Sequence, residues 1–319
     1  MIFITGATGF VGQSLIKNLL NDNHKLRVSS RRKSVHIPSG VELFLTDDIT
    51  DTTDWNQVLQ GVDVVIHTVA RVHVMDDSVV DPLSEFRKVN VDSTLNLARQ
   101  AIIAKVKRFI FISSIKVNGE MTLKSQPFTA DDEYIPTDPY GLSKYEAEQG
   151  LLALAESSDM EIVIIRPPLV YGPGVKANFS SMMKWIKKGI PLPFATLNNK
   201  RSLIAVDNLV NFITLCIKHP KAANEVFLVS DGEDVSISVL LRKIAKAFDQ
   251  RLRLFAIPVS WMISALTLIG KGDVSTRLCS SLQIDSSKAR DLLGWSPVIT
   301  MDEQLQKTAD AYLKNEKTL

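Results

Sequence analysis

Tyr140 and Lys144 are the pair in this chain best suited to moving a proton. Residues four apart lie on one face of a helix. Asp138 can cap that helix and Pro139 suits its first position, which puts Tyr140 in the first turn. There the helix dipole and the ammonium of Lys144 both favour a phenolate, so the expected tyrosine pKa is lowered towards working pH. Lys144 is also placed to hold the ribose of a nicotinamide. Ser114, with Ser113 before it, ends an apolar run and can donate to the same substrate oxygen as the phenol. Together the three side chains would polarise a carbonyl in one direction and deprotonate an alcohol in the other. Of the five tyrosines, only Tyr140 has a lysine four residues later.

Hydride chemistry needs a cofactor, and the chain opens with a turn that could hold one. Gly6-Ala7-Thr8-Gly9-Phe10-Val11-Gly12 follows the short apolar run Ile2–Thr5. A chain that turns sharply from strand to helix and lets a pyrophosphate approach its backbone needs positions without a Cβ. The following helix offers unpaired N–H groups and a partial positive charge. The spacing is GxxGxxG rather than GxGxxG. At the end of the second strand, an acid would hold a free ribose 2′-hydroxyl. Here the residues are Ser29-Ser30-Arg31-Arg32-Lys33. Cations at that point suit a 2′-phosphate, so Arg31 and Arg32 predict NADP(H), with NAD(H) as the alternative. Asp48 and Ile49, after the third strand, are placed to meet the adenine edge.

These groups require a scaffold of alternating strands and helices. Short β-branched runs predict strands at Ile2–Thr5, Leu26–Ser30, Val41–Leu45, Val62–His67, Arg108–Ser113 and Glu161–Arg166. Their near-continuous apolar character fits a parallel sheet covered on both faces. Helical patterns fall between them at Val11–Leu20, Leu83–Ala104 and Tyr140–Ala155. The expected fold class is α/β, a Rossmann-type doubly wound parallel sheet with a smaller C-terminal substrate-binding lobe. Residues 1–166, with 203–229 returning, would form the dinucleotide-binding domain. The proline-punctuated stretch 167–202 and the tail 230–319 would form the lobe.

Composition narrows the partners. The chain has 319 residues, is 45% hydrophobic and carries a formal charge of +2. That balance asks for no nucleic acid. The two cysteines, Cys216 and Cys279, fit no metal spacing and no disulfide framework, and a reducing, cytoplasmic setting is the simplest expectation. No secretory signal is read at the start. The uncharged stretch 255–270 is too short to span a bilayer and is expected to be a buried helix, its alternative being a surface that meets lipid.

Beyond these separate motifs, the chain resembles the extended short-chain dehydrogenase/reductase family, in its nucleotide-sugar epimerase, dehydratase and reductase branch. The resemblance rests on GATGFVG, the turn from His67 to Ala70, Asn90-Val91-x-x-Thr94, ISSIKVNGE, YGLSK, RPPLVYGPG and DSSKARDLLGWSP. It implies that Thr68, Val69, Ala70, Asn90 and Pro167 join Gly6, Gly9, Phe10, Val11 and Gly12 around the cofactor. It places a UDP-sugar beneath the smaller lobe, near Ser114, Lys116, Asn178, Arg201 and Arg277. The two arginines have a physical rationale as well, since a buried diphosphate needs cations. It further implies a homodimer through helices at about 82–104 and 140–154.

Departures from the family pattern refine the activity. Ser114 is followed by Ile115-Lys116 where 4,6-dehydratases carry Asp-Glu, which argues against dehydration. Asn118 replaces a familiar tyrosine, and Thr68-Val69 replace smaller residues. SSIKVNGE and RPPLVYGPGVKANF resemble reductases of UDP-4-keto-6-deoxy-N-acetylglucosamine. With the basic Arg31-Arg32, they lead to an expected 4-keto reduction that yields UDP-N-acetylquinovosamine for surface polysaccharide. The alternative is a UDP-glucose or UDP-N-acetylglucosamine 4-epimerase. A non-catalytic cofactor binder, or an enzyme acting on a lipid-linked substrate, is a further alternative.

Overall fold

The computed structural model describes residues 1–31, 37–72, 81–268 and 278–316. Strands β1 (Ile2–Thr5), β2 (Leu26–Ser30), β3 (Val41–Leu45), β4 (Val64–His67), β5 (Arg108–Ile112) and β6 (Glu161–Arg166) appear where the apolar runs predict them. Two short strands, β7 (Leu169–Tyr171) and β8 (Leu203–Ala205), follow, and then β9 (Glu225–Leu228). Seven strands form one parallel sheet in the order β3-β2-β1-β4-β5-β6-β9.

Alternation along each strand decides which face its side chains cover. Ile2, Ile4, Val64, Ile66, Ile110, Ile112, Val163 and Ile165 point to one side. There they meet Leu15, Ile16 and Leu19 of α1 (Phe10–Asn21). The intervening Phe3, Val65, Phe109, Phe111, Ile162 and Ile164 point to the other. That side is roofed by α2 (Asn56–Leu59), by a helix that runs from α3 (Pro82–Arg87) to α4 (Ser93–Ile103), and by α5 (Pro139–Glu156). Both faces are therefore dry, which is why these strands read as unbroken apolar runs. The edge strand β3 is the exception, with Leu43 and Leu45 exposed.

The structure departs from expectation in three places. Leu83–Ala104 is not one regular helix, because Lys88–Asp92 winds as a π-helical turn between α3 and α4. Leu203–Ala205 does not re-enter the main sheet; it pairs with β7 in a separate two-stranded sheet. The return is made instead by α7 (Val206–Cys216), which packs with α1, and by β9 against β6. The third departure concerns the uncharged segment and is described below.

The smaller lobe has its own apolar cluster. It gathers residues from α6 (Ala177–Lys187), which precedes α7 in the chain, from α8 (Ile237–Ala247), and from α11 (Met301–Glu316), which follows α9 (Val259–Leu268) and α10 (Ser287–Leu293). A buried polar joint ties it to the sheet. The Tyr171 hydroxyl donates to Asp231 Oδ2 at 2.6 Å, while Asp231 Oδ1 accepts from the Ala205 N–H at 2.9 Å and from Asn208 Nδ2 at 2.7 Å. Burial pushes the Asp231 carboxyl upwards, partly offset by these donors. The segment expected to be a buried helix forms α9, but among its described side chains only Met262 is buried; Trp261 is 72% and Leu268 87% exposed. A helix with apolar residues on every side has only one side to give to the core. Tyr171→Phe should leave Asp231 short of its donor and cost about 1–3 kcal/mol of stability. Chemical denaturation of both chains would measure this directly.

Candidate active site

Parallel strands bring all their carboxyl ends to one edge, and the glycine turn, Thr68, Ser114, Tyr140 and Lys144 lie along it. Because β1 lies between β2 and β4, successive connections leave it in opposite directions and open a crevice. Gly6 follows β1 with φ +74°, and a Cβ there would come 2.4 Å from Thr68 Oγ1. A Cβ on Gly12 would come 2.2 Å from the Gly6 carbonyl oxygen. The turn and the first turn of α1 therefore pack backbone to backbone. Gly9 caps α1 with no side-chain bond, and the first turn holds no acid. Those free N–H groups are what a pyrophosphate requires, so the chain fits a dinucleotide there. Thr68 closes the far wall, its hydroxyl donating to the Thr5 carbonyl at 2.7 Å. Val69 and Ala70 follow, both half-buried.

At the end of β2, Arg31 Nη1 lies 2.6 Å from Asp48 Oδ1, and both side chains are largely exposed. Pairing of β2 with β3 carries the two together, because Ser30 stands opposite Leu45. Asp48, expected to meet adenine, is thus engaged with the guanidinium expected to meet a 2′-phosphate. Ile49 packs against the apolar cluster beneath α4 and α5. Arg32 lies outside the described residues.

The catalytic candidates converge from β5 and α5. Asp138 caps α5 as expected, accepting from the Gly141 N–H at 2.9 Å and the Tyr140 N–H at 3.3 Å. Ser114 caps the short 3-10 turn Ile115–Val117 after β5. Its hydroxyl lies near enough to the Tyr140 phenol to draw that pKa downwards. Lys116 locks the two pieces together. Its Nζ lies 3.2 Å from Asp138 Oδ1 and 2.8 Å from Glu120 Oε1, so the residue expected to contact substrate is already held in ion pairs. Gly141 permits the approach: a Cβ there would meet Asp138 Oδ2 at 2.6 Å and the Lys116 carbonyl at 2.8 Å.

One expectation is reversed. Burial raises the Tyr140 phenol to about 12, against the lowering by the nearby Ser114 hydroxyl, and Asp138 raises it further. Lys144 does not depress it. The lysine is buried beneath, donating to the Ile112 carbonyl at 3.0 Å with Nζ 4.3 Å from the centre of the Phe111 ring. Burial lowers Lys144 to about 7, partly opposed by the charge of Glu148. An ammonium that is itself reluctant to exist there, and faces a carbonyl, does little for the phenolate.

Other neighbours have contacts that the sequence did not announce, and Glu148 was not singled out from it at all. His67, fully buried, bonds Thr5 Oγ1 at 2.7 Å and Thr94 Oγ1 at 3.0 Å; burial and then Lys144 lower it to about 3, which keeps it neutral. Glu148, one turn beyond Lys144, pairs with Arg166 at 2.6 Å; both are buried. Arg166 Nη1 also donates to Asn118 Oδ1 at 3.0 Å. The spacing Tyr140, Lys144, Glu148 is itself a signal, since all three share one helix face. Asn90 sits in the π-helical turn. Its amide accepts from the Arg71 N–H at 2.8 Å and donates to the Arg71 carbonyl and to Ser143 Oγ. Asn90 thus fixes the loop after β4 against α5. Pro167 is buried at the end of β6, its carbonyl accepting from the Ile115 N–H at 3.0 Å. Further out, Asn178 is exposed in the first turn of α6. Arg201 lies where backbone bridges join it to Val235 and Leu282, and burial lowers its pKa. Arg277 lies outside the described residues.

Comparison with known proteins identifies the family to which this fold belongs. Residues 2–230 match the NAD dependent epimerase/dehydratase family. A UDP-glucose 4-epimerase of Vibrio cholerae is 50% identical over 315 residues, covering 98% of this chain and 95% of its own. The UDP-glucose 4-epimerase of Thermotoga maritima, solved with UDP-glucose, superposes with a TM-score of 0.78 at 23% identity, covering 99% of both chains. The UDP-glucuronic acid 4-epimerase of Bacillus cereus, solved with NAD, gives 0.79 at 22% identity, covering 99% of this chain and 97% of its own. The chain belongs to the NAD dependent epimerase/dehydratase family and is an enzyme of it.

Two measurements follow from the buried charges. The unfolded chain keeps the Lys144 proton up to about pH 10.5, whereas the folded chain releases it near 7. Folding stability should therefore rise as pH climbs from about 7 to 9, by at most about 1.4 kcal/mol per pH unit. Lys144→Met should flatten that slope in cofactor-free protein, read by denaturant titration at each pH. Separately, Glu148→Leu strands the Arg166 guanidinium in the interior and should cost about 3–5 kcal/mol. An unchanged midpoint in the same titration would contradict this.

Proposed function

We propose that the protein is a 4-epimerase of a UDP-linked hexose that keeps its nicotinamide dinucleotide through the reaction cycle. The single observation that carries this reading is the grouping of Ser114, Tyr140 and buried Lys144 around the carboxyl end of β5, on the sheet edge that also carries the Gly6–Gly12 turn after β1. The nearly full-length identity to an epimerase of Vibrio cholerae supports it. The bound dinucleotide would supply and accept hydride. Tyr140, as the phenolate, takes the proton from the C4 hydroxyl while the dinucleotide would accept hydride from C4, and it returns the proton to the same oxygen when hydride comes back to the opposite face. Because the phenol holds its proton tightly in the cofactor-free site, binding of the cationic, oxidised dinucleotide would have to lower its pKa before it could act as this base. Ser114 steadies the same oxygen, and Lys144 orients the ribose. Asn178, Arg201 and Arg277 would hold the nucleotide diphosphate.

The expected 4-keto reductase with NADPH is the second reading, favoured by one feature, the exposed guanidinium of Arg31. Against it stands Asp48, which supplies an acid at a place where the second strand has only cations. Since exposed ion pairs are weak, Arg31 could still turn to a 2′-phosphate. NAD(H) is the cofactor proposed for the epimerase.

Incubation with UDP-glucose or UDP-N-acetylglucosamine, without added cofactor, should yield the C4 epimer. Oxidation of NADPH with a UDP-4-keto-6-deoxy sugar, and no epimer formed, would select the reductase instead. Tyr140→Phe should lower turnover by about 10²–10⁴-fold while dinucleotide still binds. Arg31→Ala should leave NADH affinity nearly unchanged; a loss confined to NADPH would identify Arg31 as a phosphate ligand.

A further inference from the structure

The smaller lobe carries a surface that the proposed chemistry does not use. α9 sends Met262 into the apolar cluster that also receives Met183 and Ile186 from α6. Trp261 and Leu268 of α9 face outwards, as does Phe255 before it at 45% exposure. On the adjoining edge, Trp185 of α6 and Ile190 after it are each 40% exposed. Backbone bonds join the two edges. The Ile190 N–H donates to the Trp185 carbonyl, the Leu192 N–H to the Arg253 carbonyl, and the Phe255 N–H to the Leu192 carbonyl.

Charge on this surface is mainly positive. Residues 162–206 contain seven lysines and arginines and no aspartate or glutamate, although Arg166 is buried and paired with Glu148 and Arg201 is largely buried. Residues 250–268 contain Arg251 and Arg253 and again no acid. Lys184, Lys188, Arg251 and Arg253 are exposed and make no ion pair among the described residues, whereas Lys187 pairs with Glu316. Exposed tryptophans and leucine, rimmed by unpaired cations, with Glu316 already neutralised by Lys187, match the polar–apolar boundary of an anionic bilayer. A face built for a second copy of this chain would have to set these cations against each other.

We infer that the smaller lobe docks on a negatively charged lipid surface through α9 and the neighbouring Trp185–Ile190 edge. It lies on that surface and does not cross it. No helix among the described residues is long and apolar enough to span a membrane. The ten residues of α9 extend about 15 Å, half the depth of a hydrocarbon core. This inference holds whichever sugar is converted.

Tryptophan emission provides a local reporter, since Trp55 and Trp295 are buried in the protein while Trp185 and Trp261 belong to the surface. The full chain would be floated with vesicles of phosphatidylcholine, or of phosphatidylcholine and phosphatidylglycerol in equal parts. Binding to the mixed vesicles is expected, with a blue shift of emission and a decline as salt is raised. Trp261→Ser with Leu268→Ser should weaken it at least about tenfold. Lys184→Gln with Lys188→Gln should weaken it about fivefold per charge. Both double variants should retain the parent's turnover of soluble UDP-sugar. Absence of flotation, equal flotation with phosphatidylcholine alone, or flotation unaffected by both pairs of substitutions would overturn the inference. So would a self-associating chain that Trp261→Ser disperses and that ignores vesicles, which would assign the face to a second copy.

Discussion

Arg166 stands at the end of β6 and reaches in two directions inside the protein. One is to Glu148 on α5, which it meets through three contacts, and the other is to Asn118 beyond the Ser114 turn. Asn118 continues the chain of bonds to the Thr129 carbonyl at 2.7 Å. Removing a guanidinium and a carboxylate from water is costly, and only a pair this fully bonded recovers the loss. What it secures is the angle of α5 about its own axis. With Glu148 fixed, Lys144 and Tyr140 one and two turns earlier can point only to the end of β5. Strand, turn and helix are thereby held in one arrangement by groups that touch no reacting atom.

The electrostatics of the site follow from the same dryness. Tyr140 holds its proton more tightly than a phenol in water, and Lys144 releases its proton more readily than a surface lysine. His67, beneath the same lysine, stays neutral. The cluster therefore tends to lose charge rather than concentrate it, and without cofactor the phenol stays protonated. The nearby Ser114 hydroxyl is the one local influence that draws the phenol back towards ionisation.

Much of this frame was legible because it depends on local pattern. Strand positions follow from apolar runs, the start of α5 from Asp138-Pro139, and the turn before α1 from its glycines. What escaped depends on residues far apart in the chain. Arg31 and Asp48 are brought together by strand pairing, and no local motif announces their contact. Arg166 and Glu148 meet only once β6 and α5 are packed. The Tyr140 pKa was misread because a spacing of four places Lys144 on the correct face without revealing that its ammonium turns inwards to Ile112. The segment 255–270 was misread because lack of charge describes a helix equally well when it faces a core and when it faces outwards.

The π-helical turn at Lys88–Asp92 gathers one residue more than an α-helical turn over the same path. That surplus lets Asn90 point inwards while Phe86 before it edges the Tyr140 ring and Leu97 after it enters the core. The phase of the apolar stripe consequently shifts by one position, about 100°, between the two flanks. Relatives shorter by a single residue in this region should carry the gap within 88–92, and in them the inward amide would have to be supplied from another element.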